Sequence, residues 1–133
     1  MRLAVYDRTH RCATIELVTS VLIVDDHPSF RASARALLEA EGFDVIGEAA
    51  DGESAVQACD ELHPDVVLLD VQLPDRTGFE VASQLTANGS VVTVVLVSSR
   101  DGCDYGPLVE ESGASGFVPK AELSGARIAA LLR

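Results

Sequence analysis

Four short apolar runs without polar alternation constrain the fold of this chain more than any other feature. Such runs are typical of parallel strands that are buried on both faces of a sheet. Together with a fifth, less apolar segment they alternate with patterns of helical period, which predicts one doubly wound α/β sandwich with right-handed crossovers. The predicted strands are Val21–Asp25, Asp44–Ala49, Val66–Asp70, Val91–Val97 and Gly116–Lys120.

A helix is predicted after each strand. The fourth has the weakest helical pattern, because two glycines and a proline fall within or beside it. Residues 1–19 show no clean period, and we expect a flexible or loosely attached N-terminal extension ahead of a domain at residues 20–133. The predicted helices run from near Ser29 to Gly42, over Glu53–Leu62, from Phe79 to the Asn88-Gly89 pair, over Asp104–Ser112 and over Leu123–Leu132.

Composition excludes several classes of protein. The 133 residues suffice for one ordinary domain, and the 47% apolar content supports a packed core rather than a disordered chain. The net charge of −11 disfavours direct binding to nucleic acid, since phosphate backbones repel an acidic surface. No apolar stretch approaches the roughly 20 residues that cross a membrane, and no export signal is evident. A cytoplasmic location without membrane contact is therefore expected.

Cysteine and histidine show no pattern of a metal site. Cys12, Cys59 and Cys103 are odd in number and widely spaced, which suits neither a disulfide framework nor zinc. Cys59 falls on the apolar side of a predicted helix, where a small buried residue is expected. His27 stands beside an aspartate pair, and we interpret it as loop filler.

Polar residues end the four apolar runs: Asp25-Asp26, Asp70, Ser98 and Lys120. The carboxyl ends of parallel strands meet at one sheet edge, where ligands bind. At ~4 Å and an effective dielectric constant of about 20, each pair of carboxylates repels by roughly 4 kcal/mol. A hard cation such as Mg²⁺ and the Lys120 ammonium would offset this repulsion. Asp70, at the end of the central strand, is the candidate nucleophile for an aspartyl-phosphate, and Ser98 would donate a hydrogen bond to a phosphoryl oxygen.

From about Ser20 to Arg133 the chain resembles the receiver domain of two-component response regulators. The resemblance is carried by the ordered stretches Val21-Leu22-Ile23-Val24-Asp25-Asp26-His27-Pro28, Pro64-Asp65-Val66-Val67-Leu68-Leu69-Asp70-Val71-Gln72-Leu73-Pro74, Gly78, Val95-Leu96-Val97-Ser98-Ser99 and Gly113-Ala114-Ser115-Gly116-Phe117-Val118-Pro119-Lys120. It implies a flavodoxin-like (βα)5 sandwich with parallel strand order 2-1-3-4-5, counted from Val21.

The resemblance also implies the roles of the site residues. Asp70 would be the phosphoacceptor in a phosphorelay. Mg²⁺ would be held by Asp25, Asp26, Asp70 and the backbone carbonyl of Gln72. Ser98 and Lys120 would bind the phosphoryl group, and Ser98 with Phe117 would form the switch.

Three positions depart from the family pattern. Serine at position 98 replaces the usual threonine, Phe117 stands where tyrosine is frequent, and Ala121 follows Lys120 where proline is common. The tail from Phe117 to Leu123 most resembles receivers that precede a LuxR/NarL-type helix-turn-helix. A stand-alone receiver, or one shortened from a longer ancestor, is expected.

The resemblance implies a signalling protein that is not an enzyme, although the domain assists its own phosphotransfer and autodephosphorylation. It also implies two kinds of partner. A sensor histidine kinase or a histidine phosphotransfer protein would donate the phosphoryl group. An unidentified downstream protein would bind the face formed by the fourth helix, the last strand and the last helix. Whether the chain forms a homodimer stays an open question.

Three other functions compete with this one. A haloacid-dehalogenase-like hydrolase needs an acid two positions after its nucleophile on the first strand, where His27 follows Asp25. A flavodoxin-like cofactor binder needs a phosphate-cradling first loop, which Asp25-Asp26 would repel. A pseudo-receiver would bind partners without phosphorylation, although no residue of the pocket is missing.

Overall fold

The computed structural model describes residues 2–6, 12–16, 18–87, 90–99 and 105–132, with side chains from residue 18 onward. Seven strands and five α-helices lie in these ranges, and a short 3-10 helix spans Lys120–Glu122. The strands are β1 (Arg2–Tyr6), β2 (Cys12–Glu16), β3 (Ser20–Val24), β4 (Asp44–Ala49), β5 (Val66–Asp70), β6 (Thr93–Ser98) and β7 (Gly116–Pro119). The helices are α1 (Pro28–Ala40), α2 (Gly52–Leu62), α3 (Gly78–Thr86), α4 (Gly106–Glu111) and α5 (Gly125–Leu131).

Strands β3 to β7 form one parallel sheet in the order β4-β3-β5-β6-β7. Counted from β3, this is the predicted order 2-1-3-4-5, so the flavodoxin-like sandwich is confirmed. Helices cover both faces of the sheet. Residues of α2 and α3 pack on one face, and residues of α1 and α5 pack on the other.

Burial on both faces explains the apolar composition of the central strands. In β3, Leu22 and Val24 face the layer of α2 and α3, whereas Val21 and Ile23 face the layer of α1 and α5. All four side chains are fully buried. A strand of this kind has no solvated face, which is why the sequence shows a continuous apolar run instead of alternation.

Several predicted boundaries were wrong by a few residues. Strand β6 begins at Thr93 rather than Val91, and the Val91 residue is 98% exposed. Helix α4 is only six residues long and begins at Gly106, as its weak pattern suggested. Lys120 lies in the 3-10 helix, one residue beyond β7. The predicted helix stop at Asn88-Gly89 lies outside the described residues.

The N-terminal segment contains regular structure that the sequence pattern did not indicate. Strands β1 and β2 pair in antiparallel fashion, with Leu3 opposite Ile15 and Val5 opposite Ala13. They form a separate two-stranded sheet and do not join the parallel sheet. Whether this extension is flexible stays a prediction.

Within the described ranges, no helix combines the length and the apolar composition needed to span a membrane.

Gly78 fixes the return of the chain after β5. Its N–H donates a 2.6 Å hydrogen bond to the carbonyl of Val71, directly beyond Asp70. A Cβ atom at this position would lie 2.2 Å from the carbonyl oxygen of Asp70 and 2.9 Å from the Cα of Val71. Both are backbone atoms and cannot rotate away, so only glycine lets α3 start this close to the end of the central strand.

We therefore expect Gly78→Ala to lower the free energy of unfolding by about 1–3 kcal/mol, the usual cost of overpacking. Gly106→Ala is the matched control, because a Cβ there meets nothing within 4 Å. It should change stability by at most about 1 kcal/mol, in the stabilising direction. Urea unfolding followed by circular dichroism measures both variants, and equal stabilities of the two would contradict the close approach at Gly78.

Candidate functional site

The sheet register brings the polar strand ends to one edge. Val24 pairs with Leu69, and Asp70 pairs with Val97, so Asp25, which follows β3, and Ser98, the last residue of β6, lie beside Asp70. A cleft of about 590 Å³ opens at this edge. Asp25 is fully buried beneath it. The predicted site residues that line the cleft are Asp26, Asp70, Gln72, Ser98 and Lys120.

Asp25 is held from two sides. Its Oδ1 accepts a 2.8 Å hydrogen bond from the backbone N–H of His27. Its Oδ2 lies 2.6 Å from Lys120 Nζ and forms an ion pair with it. Burial raises the pKa of Asp25, but Lys120 and His27 outweigh burial and hold this pKa below its ordinary value. The Asp25 carboxylate therefore stays ionised in the interior.

Asp70 has the opposite tendency. Its Oδ1 accepts a 3.2 Å hydrogen bond from the N–H of Gln72, and its Oδ2 lies 3.4 Å from Lys120 Nζ. Burial and the nearby negative charge of Asp25 raise the pKa of Asp70 despite these two donors. The environments of the two carboxyl groups thus push their pKa values apart, which is common in catalytic and metal-binding pairs.

Lys120 joins the two carboxylates. Its side chain is 17% exposed, and Nζ also lies 4.4 Å from the centroid of the Phe30 ring. Burial lowers the pKa of Lys120, but its contacts with Asp25 and Asp70 more than compensate and raise it above the ordinary value. Lys120 is therefore a permanent cation at the floor of the cleft.

His27, which the sequence analysis interpreted as loop filler, lies against the aspartate pair. Its Nδ1 lies 3.0 Å from Asp25 Oδ1 and 3.1 Å from Asp26 Oδ1, so the imidazole bridges the aspartate pair. The signal in the sequence was its position directly after the two aspartates. No periodicity reports where the side chain of a loop residue points, so only the structure could show this contact.

The loop after β5 is attached to α2 through Asp75, a contact that the sequence did not indicate. The Asp75 carboxylate accepts hydrogen bonds from the N–H of Gly52 at 2.8 Å and of Glu53 at 3.0 Å. These bonds lower the pKa of Asp75. An anion is favourable at a helix N-terminus, where N–H groups lack intrahelical partners. This attachment fixes one wall of the cleft next to Gln72.

An aromatic row connects the predicted switch residue to two helices. Ser98, at the end of β6, is 5% exposed and lines the cleft. The half-buried Phe117 ring lies 5.7 Å from the ring of Tyr105, and Tyr105 lies 5.5 Å from Phe79. Tyr105 is the residue directly before α4, and Phe79 belongs to α3. Movement of Phe117 would therefore disturb the start of α4.

The residues present fit a divalent cation. One ligand atom each from Asp25, Asp26, His27 and Asp70 lies within 4.8 Å of the others. Asp25 Oδ2 is buried and accepts no hydrogen bond from the part of the chain that the structure describes. Oxygen ligands of this kind, with an open cleft for water, match the preference of Mg²⁺.

Comparison with known proteins gives matches over most of the chain. A family model of the response regulator receiver domain matches residues 21–132. The chain is 37% identical over 106 residues to the virulence-factor transcription regulator BvgA of Bordetella pertussis, covering 80% of this chain and 51% of that protein. It is 35% identical over 112 residues to the DNA-binding transcriptional activator EvgA of Escherichia coli K12, covering 84% and 55%. The chain thus spans about half the length of these curated relatives.

Solved structures agree with these matches. A LuxR-family two-component response regulator from Aurantimonas superposes with a TM-score of 0.78 at 32% identity, covering 86% of each chain. The signal receiver domain of the response regulator NarL from Mycobacterium tuberculosis gives a TM-score of 0.77 at 31% identity. That match covers 87% of this chain and 98% of the other.

The raised pKa of Asp70 predicts a stability difference that depends on pH. An acid whose pKa is higher in the folded state destabilises the fold once it ionises, so its cost is present at neutral pH and disappears as pH falls through that pKa. Asp70→Asn should therefore raise the free energy of unfolding at pH 7. The gain should shrink as the pH approaches the ordinary aspartate value of 3.8.

Chemical denaturation at a series of pH values in the absence of divalent cations checks this expectation. Asp60→Asn, at an exposed position of α2, is the matched control and should show no such pH-dependent gain. A loss of stability in Asp70→Asn at pH 7 would mean that Lys120 fully compensates the Asp70 charge.

Proposed function

The chain belongs to the response regulator receiver domain family, and on this premise we propose that it accepts a phosphoryl group on Asp70 from a phosphohistidine. The donor is a sensor histidine kinase or a histidine phosphotransfer protein, and the receiver domain comprises residues 20–133. The observation that carries the proposal is the meeting of Asp25, Asp70 and Lys120 at one sheet edge, with Nζ 2.6 and 3.4 Å from the two carboxylates.

The transfer step needs a carboxylate nucleophile with support for negative charge. An Asp70 oxygen attacks phosphorus and forms a P–O bond while the P–N bond to the donor imidazole breaks. Lys120 neutralises charge on the equatorial phosphoryl oxygens, and Ser98 donates a hydrogen bond to one of them. The loop after β5, attached to α2 by Asp75, keeps the cleft open beside Asp70.

Asp25, Asp26, Asp70 and the backbone carbonyl of Gln72 would hold Mg²⁺. When bound, this ion offsets the repulsion between the carboxylates and the charge of the phosphoryl group. The three acidic side chains and the buried, hydrogen-bond-free Oδ2 of Asp25 support this assignment.

The output of the phosphorylated state is a change in the face formed by α4, β7 and α5. Ser98 moves toward the phosphoryl group, and Phe117 repacks into the space that Ser98 leaves. Tyr105 transmits this repacking to α4, a helix of six residues with no fully buried side chain and therefore little to hold it. Because the relatives are named as transcription regulators, control of transcription through protein contacts is the output that we favour.

The proposal keeps the expected cytoplasmic location and a signalling role in which the domain assists its own dephosphorylation. Family membership argues against a haloacid-dehalogenase-like hydrolase and a flavodoxin-like cofactor binder. A pseudo-receiver shares the same family and fold, so the experiment must separate it from a phosphoacceptor.

Intact-mass measurement after incubation with acetyl phosphate and Mg²⁺ tests the acceptor. One phosphoryl adduct is expected on the wild-type chain and on Asp60→Asn, and none on Asp70→Asn or after chelation of the metal. No adduct on the wild-type chain, either from acetyl phosphate or from a panel of phosphohistidine donors, would indicate a pseudo-receiver.

Tyrosine fluorescence tests the switch, because the chain has two tyrosines and no tryptophan. In a Tyr6→Phe background Tyr105 is the only tyrosine, and its emission should change on phosphorylation as Phe117 moves away from it. Ser98→Ala in the same background should still accept the phosphoryl group but show a much smaller change. An equal change in tyrosine emission with and without Ser98→Ala would mean that the Ser98–Phe117 pair does not produce the signal.

A further inference from the structure

We propose that the imidazole of His27 is a ligand of the cation site. The site then binds borderline transition-metal ions such as Co²⁺ and Zn²⁺ far more tightly than a purely carboxylate site would. This inference rests on the proposed function, because it concerns the same acidic cleft, but it assigns a residue and a metal class that the phosphoacceptor role does not require.

The position of the Nδ1 atom carries the inference. It lies 3.0 Å from Asp25 Oδ1 and 3.1 Å from Asp26 Oδ1, and the Asp70 carboxylate lies within 4.8 Å of all three groups. Separations of this size are those between ligand atoms that share one ion at about 2.0–2.2 Å. One nitrogen and three carboxylate groups therefore surround a single small volume.

The acidic residues of the cleft set the direction of this side chain, because its Nδ1 makes a 3.0 Å hydrogen bond with Asp25 Oδ1. His27 precedes α1, yet its imidazole makes no hydrogen bond to the start of that helix. The turn between Asp25 and His27 is made by the backbone N–H of His27, which any residue except proline supplies. The imidazole is 65% exposed, so packing does not hold it against the carboxylates. Its contacts are with the acidic residues of the cleft.

A second observation at the same place points to a cation. Asp25 is fully buried, and its Oδ2 has Lys120 Nζ at 2.6 Å as its compensating charge. A buried carboxylate oxygen without a hydrogen bond is costly unless a positive charge compensates it. Lys120 offers one charge to two buried carboxylates, and the exposed Asp26 adds a third negative group on the solvent side.

The nitrogen ligand changes which ion the cleft prefers. Mg²⁺ is hard, prefers oxygen and keeps much of its water, so an imidazole adds little to its binding. Imidazole is a good ligand for Zn²⁺ and for the divalent ions that precede zinc in the first transition row. These ions also bind sites with nitrogen and oxygen ligands more tightly than harder ions do. His27 therefore sets the selectivity of the site between Mg²⁺ and transition-metal ions.

Metal titration of His27→Ala tests the inference. Co²⁺ is the first probe, because its visible absorption reports the ligand set directly, and calorimetry gives the Mg²⁺ and Zn²⁺ affinities. Loss of an outer-sphere partner already costs about 10–100-fold in metal affinity, so loss of a ligand should weaken Co²⁺ and Zn²⁺ binding at least about tenfold. Mg²⁺ binding should change less than about twofold, and the Co²⁺ bands should shift.

His63→Asn is the matched control. His63 is exposed at the end of α2, at a backbone φ of 50° that asparagine tolerates, and it lies outside the cleft of the aspartates. This variant should bind all three ions as the wild-type chain does. Circular dichroism of each variant confirms that the fold is retained.

Three results would overturn the inference: unchanged Co²⁺ affinity in His27→Ala, an equal loss of Mg²⁺ and Co²⁺ affinity, or a wild-type site that does not bind Co²⁺ more tightly than Mg²⁺. The phosphoryl adduct on Asp70, formed with Mg²⁺, is measured in the same samples. If the adduct forms on both the wild-type chain and His27→Ala, and Co²⁺ binding is unchanged in His27→Ala, the ligand role is refuted and the phosphoacceptor function remains. Absence of the adduct from wild type refutes the function, whatever the metal affinities are.

Discussion

The ion pairs of Lys120 with Asp25 and Asp70 are the interaction on which the rest of the site depends. Two carboxylates are buried at the same sheet edge, and one ammonium lies 2.6 and 3.4 Å from them. Removing Lys120 would leave both buried carboxylates without a compensating charge, and breaking a buried ion pair in this way costs about 3–5 kcal/mol. One positive charge against two negative ones leaves a deficit, which would favour a cation in the cleft. Burial, together with the negative charge of Asp25, keeps the pKa of Asp70 above its ordinary value.

The apolar sheet makes this electrostatic arrangement possible. All of β5 and all of β3 except its first residue are buried, so the ends of these strands cannot shift to separate the charges without exposing apolar side chains. Gly78 lets the start of α3 lie close to the backbone of Asp70, and Asp75 attaches the loop after β5 to the N-terminus of α2. The repulsive residues are thus held together by packing and by hydrogen bonds that lie outside the site. Electrostatic repulsion that the surrounding fold compensates is commonly found at functional positions.

Prediction from the sequence succeeded where a local pattern reports a single physical cause. Apolar runs report burial on both faces, so the parallel sheet and its helices could be predicted, and the strand ends indicated Asp70 and Lys120 as neighbours. Residues whose contacts are set by distant chain segments could not be found in this way. Asp75 binds N–H groups more than twenty positions away, and the row of Phe79, Tyr105 and Phe117 joins three elements. The start of β6 was misplaced because Val91 is apolar yet almost fully exposed.

The sequence by itself determined the class of the fold and the kinds of side chain available for chemistry, because periodicity and strand-end position are local properties of a chain. Only the tertiary structure decided how the charges are shared: which carboxyl group has the lowered pKa, which has the raised one, and where the imidazole of His27 points. The reason is that electrostatic energy depends on separation and burial. Both are fixed by the order of β3, β5, β6 and β7 in one sheet, which no single segment of the sequence contains.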